Sequence, residues 1–389
     1  MTNSRLPVDL LDPYFYVGDV HPAFDWMRRN EPVYRDEKNA MWGIARMADL
    51  REAERRDDLF SSKGAFRVLV NPEEKTMISQ DDPEHLEQRQ LISKRFTPRR
   101  VEAKVEDVRA TVTNLLDAFI ERGSLEVVDE LAGQLPARLT ATMMGFDESQ
   151  WRAVKSWSER LMRLDVFDKR PELLADGIAA VEEYARDLVV RVPERRRCPA
   201  DDIISEWAAS DRMSMEHMID ETGLMVSGGA ETTRTTIARG LLAFCDHNDQ
   251  WDLLAERPEL IESAVEEMLR WVTPLNNMFR RVTADTELGG TRLQAGDRIA
   301  LLYPSANRDE DVFDAPYRFD VRRDPNPHIA FGLGTHFCLG ASFARMTLRT
   351  LLQELVPRIR NLRVTNEPVY EPNIFVKAVV SAGISFDLR

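Results

Sequence analysis

The stretch Phe331-Gly332-Leu333-Gly334-Thr335-His336-Phe337-Cys338-Leu339-Gly340 sets three glycines, an imidazole and one thiol directly before a helical pattern. Leu339, Phe343, Met346, Leu348, Leu351, Leu352 and Leu355 recur at helical spacing, so Cys338 is expected at that helix's N-terminus. The unpaired N–H groups and positive dipole end there favour a thiolate. Gly332, Gly334 and Gly340 permit left-handed or closely approached backbone, as a flat bulky ligand on the loop requires. Taken alone, a single Cys among apolar neighbours is usually a small buried hydrophobe. His336 and Cys338 also make half of a zinc site, but no second ligand pair follows at zinc-finger spacing and His328 alone does not complete one. A dinucleotide loop is weaker, since Phe337 stands where the third glycine belongs.

Outward from this loop, other stretches break local rules. A long central helix is expected from Ser214, a good N-cap, to about His247. Its middle, Ser227-Gly228-Gly229-Ala230-Glu231-Thr232-Thr233, pairs poor helix formers, which marks either a packing notch or a site. Asp81-Asp82-Pro83-Glu84 opens a helix on which His85 and Arg89 share one face. A helix from Pro258 carries Leu260, Ile261, Ala264, Val265, Met268 and Val272 as its buried stripe, with Glu267 and Arg270 three apart. Either charged pair alone reads as ordinary surface.

Together these motifs resemble the cytochrome P450 family. The ten residues fit its haem loop, Phe-Gly-x-Gly-x-His-x-Cys-x-Gly; Gly228 to Thr232 fit its oxygen groove, Gly-Gly-x-Glu-Thr; Glu267 and Arg270 fit its Glu-x-x-Arg pair. The resemblance is close from about Pro258 to Leu352 and fainter over nearly the whole chain. It implies a mainly α fold with small β-sheets, one domain over residues 1–389, and haem b (iron protoporphyrin IX) as cofactor. It also implies that Cys338 is the proximal iron ligand, a thiolate that favours O–O cleavage. His85, Arg89, His336 and Arg280 would hold the propionates, with Arg281 competing for the last place, while Phe331, Gly332 and Gly340 would shape the loop. Gly228 and Gly229 would let haem and O2 lie against backbone. Thr232 would steady bound oxygen and Glu231 relay protons. Glu267 and Arg270 would hold the loop's geometry without taking part in the chemistry.

Composition sets bounds. The 389 residues are 43% apolar, with 17 Phe and 15 Met, enough for a large core. A formal charge of −14 disfavours nucleic acid and anionic membranes. Cys198, Cys245 and Cys338 make no disulfide framework, which suits a reducing cytoplasm. With no apolar leader and no run of about eighteen apolar residues, no membrane span is expected.

Further expectations follow along the chain: a helix from His21 to Asn30, a strand pair at Pro32 to Arg35 and Met41 to Arg46, and an amphipathic stretch from Met47 to Arg56. Two long helices are expected in 99–145 and two in 148–197, the second pair broken near Asp168 to Pro171 and forming, by resemblance, a lid. Glu194 to Cys198 reads as a basic turn, and the C-terminal part, with Asn373 to Val376, as strands whose turn touches the pocket.

The resemblance implies a monooxygenase fed by a ferredoxin and ferredoxin reductase, with a basic patch of Arg95, Arg99, Arg100, Arg345 and Arg349 as the expected docking face, on a chain expected to be a monomer. Phe66, Val68, Leu69, Met225, Met278, Phe279, Phe375 and Val376 are the candidate substrate contacts; with no buried counter-charge among them, a neutral lipophilic ligand is expected. Glu266-Glu-Met-Leu-Arg-Trp271, Asn277-Met-x-Arg280 and the His328 to Gly340 segment are similar to actinobacterial enzymes that oxidise a sterol or steroid side chain. Tailoring of a macrolide or terpenoid is the alternative, and a haem sensor the alternative from another class, though a sensor has no need of Glu231 and Thr232. Peroxide-driven oxygenation, a third, has no need of them either.

Overall fold

The computed structural model describes residues 7–68, 71, 73–166 and 170–389. Helix α1 (His21–Asn30) starts with proline in its first turn and turns Ala23, Phe24 and Met27 inward. Strands β1 (Val33–Asp36) and β2 (Met41–Ile44) pair as a hairpin, and α2 (Met47–Arg55) buries Met47, Leu50, Ala53 and Glu54. β3 (Phe60–Ser61) follows, and a 3₁₀ turn at Met77–Ser79 precedes α3 (Glu84–Ile92).

The two helices expected in 99–145 are three. α4 (Pro98–Glu102) and α5 (Val105–Asp117) are separated by a short turn, and Gly123, at φ 70°, then releases the chain into β4 (Ser124–Glu126) before α6 (Gln134–Met144). A left-handed residue cannot continue a helix, so the glycine ends one element and permits the strand. α7 (Trp151–Met162) and α8 (Glu172–Arg197) match expectation; part of the break between them, residues 167–169, lies outside the described residues. Glu194 to Arg197 is the last turn of α8, not a loop; Pro193 is accommodated inside this helix.

After α9 (Ile203–Ala208) comes α10 (Met215–Asp246), capped by the Ser214 hydroxyl, which accepts from His217 N at 3.2 Å. Its glycine pair costs about 1 kcal/mol per residue in propensity. Burial offsets this, because the N-terminal half packs in a core with α6–α9 and the other half in a core with α5, α11 (Asn248–Glu256) and α12 (Ile261–Val272). Each large apolar side chain buried there contributes about 1.5–3 kcal/mol. Pro258 opens a single 3₁₀ turn that runs into α12.

β5 (Met278–Val282), β6 (Thr286–Leu288), β7 (Thr291–Leu293) and β8 (Arg298–Leu301) follow. One sheet runs β1-β2-β8-β5-β3, with only β2 and β8 parallel. α13 (Tyr303–Ala306) leads into the meander, and α14 (Ala341–Leu355) begins three residues after Cys338. β9 (Ile359–Val364), β10 (Val369–Tyr370), β11 (Val379–Ser381) and β12 (Gly383–Leu388) close the chain, β12 lying between β4 and β9. The turn expected among the C-terminal strands lies at Asn373 to Val376: the Asn373 carboxamide oxygen accepts from Phe375 N and Val376 N, and a single bridge joins Val376 to Leu275. The architecture is mainly α with small sheets. No helix among the described residues is long and apolar enough to cross a membrane.

Candidate functional site

A cavity lies between the middle of α10 and the Cys338 loop. The loop is pinned where it turns: Gly332 and Gly334 have φ 68° and 72°, and a Cβ on Gly334 would lie 2.3 Å from the Glu54 carbonyl oxygen. Gly340 has an ordinary φ, so left-handed freedom is not what it supplies; its Cβ would face the Cys338 sulfur at 4.0 Å. Cys338 N donates to Phe331 O at 2.9 Å, which sets the thiol on the cavity wall. Burial pushes that thiol up, opposed by the Gly340 amide and the charges of Arg89 and Arg345. Metal coordination deprotonates a thiol outright, so this opposition matters only to the unliganded chain.

Opposite the loop, Gly228, Gly229 and Thr232 form the α10 wall. A Cβ on Gly228 would meet nothing within 4 Å, so the helix surface is open there. The Thr232 hydroxyl donates to Gly228 O at 2.8 Å. Glu231 is turned away from this wall: it is buried and accepts from Arg234 Nη1 at 2.9 Å, while its other oxygen has no partner. Burial pushes its pKa up, and Arg234 opposes this. Arg234 also holds Glu159 at 2.9 Å, so α10 and α7 share the ion network.

The cavity rim carries His85, Arg89, Arg280 and His336. His85 Nδ1 donates to Asp82 at 2.9 Å, and its ring centre is 4.4 Å from that of His336. Both Nε2 atoms are buried without a partner. Burial, with Arg280, His85 and Arg89 near, pushes His336 down to about 2. Arg280 is buried and faces the cavity, whereas Arg281, one residue on along β5, is exposed. Orphaned imidazole nitrogens beside two guanidiniums suit carboxylate acceptors, and a soft sulfur across from bare helix backbone suits a flat metal ring. These residues fit haem. His328 is engaged elsewhere, with Glu266 at 3.0 Å, and among the described residues no group of three or more His, Cys, Asp or Glu is placed to hold an ion.

Glu267 and Arg270 form a fully buried double contact, 2.7 Å at each oxygen, and Arg270 donates to the carbonyls of Asn307, Pro316 and Arg318. The pair thus ties α12 to the meander that leads into the Cys loop.

A second cavity shares Ile78, Leu224, Gly228, Thr232, Leu275 and Met278 with the first. Of the residues expected to contact substrate, Met225 and Met278 line the first, and Met278, Phe66 and Phe375 line the second. Val68, Phe279 and Val376 line neither: Val68 and Phe279 pack in the core of α1 and the five-stranded sheet, and Val376 packs behind Phe375. Alternation along β5 explains Phe279, since Met278 and Arg280 take the cavity face. Leu69 lies outside the described residues. Sequence reasoning missed Leu139, Thr140 and Met143 of α6, and Glu54, which line the first cavity. It also expected no charge: the far part of the second cavity carries Arg67, bonded to Asp165, with Glu74, Asp220 and Tyr184. The loop just before α3, which covers the cavity at Met77 and Ile78, is held there, Met77 N donating to Glu221 Oε1 at 2.5 Å. Glu221 Oε2 is buried and unpartnered, and burial, with Asp220 and Glu74 adding to it against the Met77 amide, pushes the acid up to about 8.

The basic patch is smaller than expected. Arg95 pairs with Asp201 and Glu206, Arg345 with Glu266, and Arg349 with Glu102. Among the described residues Arg99 and Arg100 form no ion pair.

The family model described as cytochrome P450 matches residues 245–381. The chain is 39% identical over 393 residues to a steroid C26-monooxygenase of Mycolicibacterium smegmatis, covering 98% of this chain and 97% of the relative. A Mycobacterium marinum cytochrome P450 solved with pseudoionone superposes with TM-score 0.90 at 30% identity, covering 98% and 100% of the two chains. A Bacillus megaterium structure solved with testosterone superposes at 0.87 with 26% identity, covering 96% and 99%. With a relative this similar along nearly its whole length, the chain belongs to the cytochrome P450 family as a haem-binding monooxygenase.

Proposed function

We propose that the chain hydroxylates the side chain of a steroid or a molecule of similar length, with Cys338 as the residue that would hold the haem iron. The observation that carries this is one cavity with a sulfur on one wall, the bare Gly228 groove on the other and two unpartnered imidazole nitrogens at its rim. When bound, haem supplies the chemistry that activates O2, places one oxygen atom in a C–H bond and reduces the other to water.

His85, Arg89, Arg280 and His336 would receive the propionates. Thr232 presents a hydroxyl on the oxygen side, and Glu231 reaches it only after leaving Arg234, so the buried ion network gates proton entry. The steroid reading draws support from the name of the 39%-identical relative and from the second cavity. That cavity follows α10 from Thr232 back to Asp220, about 18 Å at helical rise. Its apolar near part suits a hydrocarbon chain, and the far polar groups suit an oxygen function at the other end. A ferredoxin delivering electrons at the Cys-loop face, a monomeric single domain and a cytoplasmic setting complete the reading; Arg99 and Arg100 are the cations left free for docking.

Reduced protein under carbon monoxide should show the strongly red-shifted Soret band of a thiolate ligand. Cholest-4-en-3-one should then shift the spin state at concentrations where a macrolide does not. A band typical of nitrogen ligation overturns the site, and a preference for the macrolide overturns the substrate.

A further inference from the structure

Glu54 is the one acidic side chain among the described residues lining the first cavity. It sits in the last turn of α2, where a glutamate ordinarily reaches into water, yet its side chain is 2% exposed. Three groups hold it: the Tyr303 hydroxyl of α13 donates to Oε1, Arg280 Nη2 of β5 lies 3.4 Å from Oε2, and the Leu333 amide of the Cys loop donates to the carboxylate. Gly332 leaves room for it, a Cβ there lying 3.3 Å from Oε1. Beyond Arg280 stand His336, His85 and Arg89. Burial pushes Glu54 up, and Arg280 and Tyr303 oppose this.

Haem brings two propionates to this rim. Among the described residues Arg280 is the one cation ion-paired with Glu54, and it also lines the cavity. Glu54 and a propionate at Arg280 would therefore face one guanidinium. A buried carboxylate without a counter-charge costs several kcal/mol, so one of the two retains a proton. Arg280 is the cation that Glu54 and a propionate have in common, and two carboxyls on one guanidinium share a proton as a coupled pair.

We propose that Glu54 is a third carboxyl of the propionate site, sharing one proton with the propionate at Arg280, and that reduction of the iron is accompanied by proton uptake on this pair. The inference rests on the haem reading above. In the step, the redox partner loses one electron and the iron gains it. One proton leaves water and ends on the carboxyl pair, cancelling the negative charge the iron site has gained. No other bond forms or breaks. Glu54 is thus a positioning and charge-balancing residue whose effect appears in the potential.

The test is a spectroelectrochemical titration of haem-loaded protein between about pH 5 and pH 9. The carbon monoxide spectrum is recorded first, so that loss of the thiolate ligand, which would sink the haem reading, is seen separately. The wild-type midpoint potential should fall with pH, approaching about 59 mV per unit where one proton accompanies one electron. Glu54→Gln should lose at least half of that slope at unchanged haem content. Tyr303→Phe removes the hydroxyl that favours ionised Glu54, so its profile should move to higher pH with the slope kept. A wild-type potential flat in pH, or a Glu54→Gln slope equal to wild type, overturns the proposal. Should Glu54→Gln fail to hold haem, the Tyr303→Phe profile decides: displaced upward it supports the shared proton, and unmoved it refutes it.

Discussion

Replacing Glu221 by Gln should make the protein more stable at neutral and alkaline pH while leaving it nearly unchanged in acid. The carboxyl is buried in α10, one oxygen takes the Met77 amide, and the other has no partner. Its pKa rises from 4.5 to about 8 on folding. A carboxyl with a raised folded pKa contributes fully below its unfolded value, and that contribution is lost as pH rises toward the folded one. The window is therefore from about 4.5 to about 8. At roughly 1.4 kcal/mol per unit, the loss is about 3–5 kcal/mol. Glutamine keeps a carbonyl oxygen for the Met77 amide and has no proton to release, so it avoids this loss. Urea titrations at about pH 4.5, 6.5 and 8.5 should show the variant and wild type within about 1 kcal/mol in acid and separated by several at the alkaline end. Parallel curves across all three would mean that Glu221 is solvated or ion-paired, and that the covering loop is not tied to α10 as described.

Arg270→Lys removes the fork that spans both Glu267 oxygens and three carbonyls, leaving a buried carboxylate poorly matched. A loss of about 3–5 kcal/mol and low haem content are expected, read by unfolding and by Soret absorbance. Thr232→Ala leaves the fold within about 0.5 kcal/mol, since its hydroxyl serves only a carbonyl already bonded in the helix; NADH should still be consumed with partner proteins while product falls and hydrogen peroxide rises. Arg99→Glu should slow reduction by the partner without changing substrate affinity. Arg345→Glu should instead place a like charge against Glu266 and lower stability; equal effects of the two on reduction rate would refute the reduced patch.

The loop around Cys338 and the glycine pair of α10 were legible because each violates local propensity, and because together they fit one family's motifs where either alone also fits a packing notch or a buried thiol. The capped start of α10 at Ser214 was legible for the opposite reason, since its signals agree. Phe279 was misplaced although strand alternation was available to exclude it once Arg280 was chosen. Glu54 had no signal at all: on a short helix it reads as a solvated acid, and only the approach of Arg280, Tyr303 and the Cys loop, from more than two hundred positions away, buries it. The smaller basic patch follows the same logic, because Glu266 and Glu206 reach their arginines through packing that no spacing reveals.

The contact between Gly334 and the Glu54 carbonyl has a bearing on biosynthesis. Residue 54 leaves the ribosome early and residue 334 late, so the surface that seats the Cys loop waits, unfinished, through most of translation. Cofactor capture is thereby postponed until residue 340 has been made, and a chain cut short before residue 331 is left without the loop that would hold an iron.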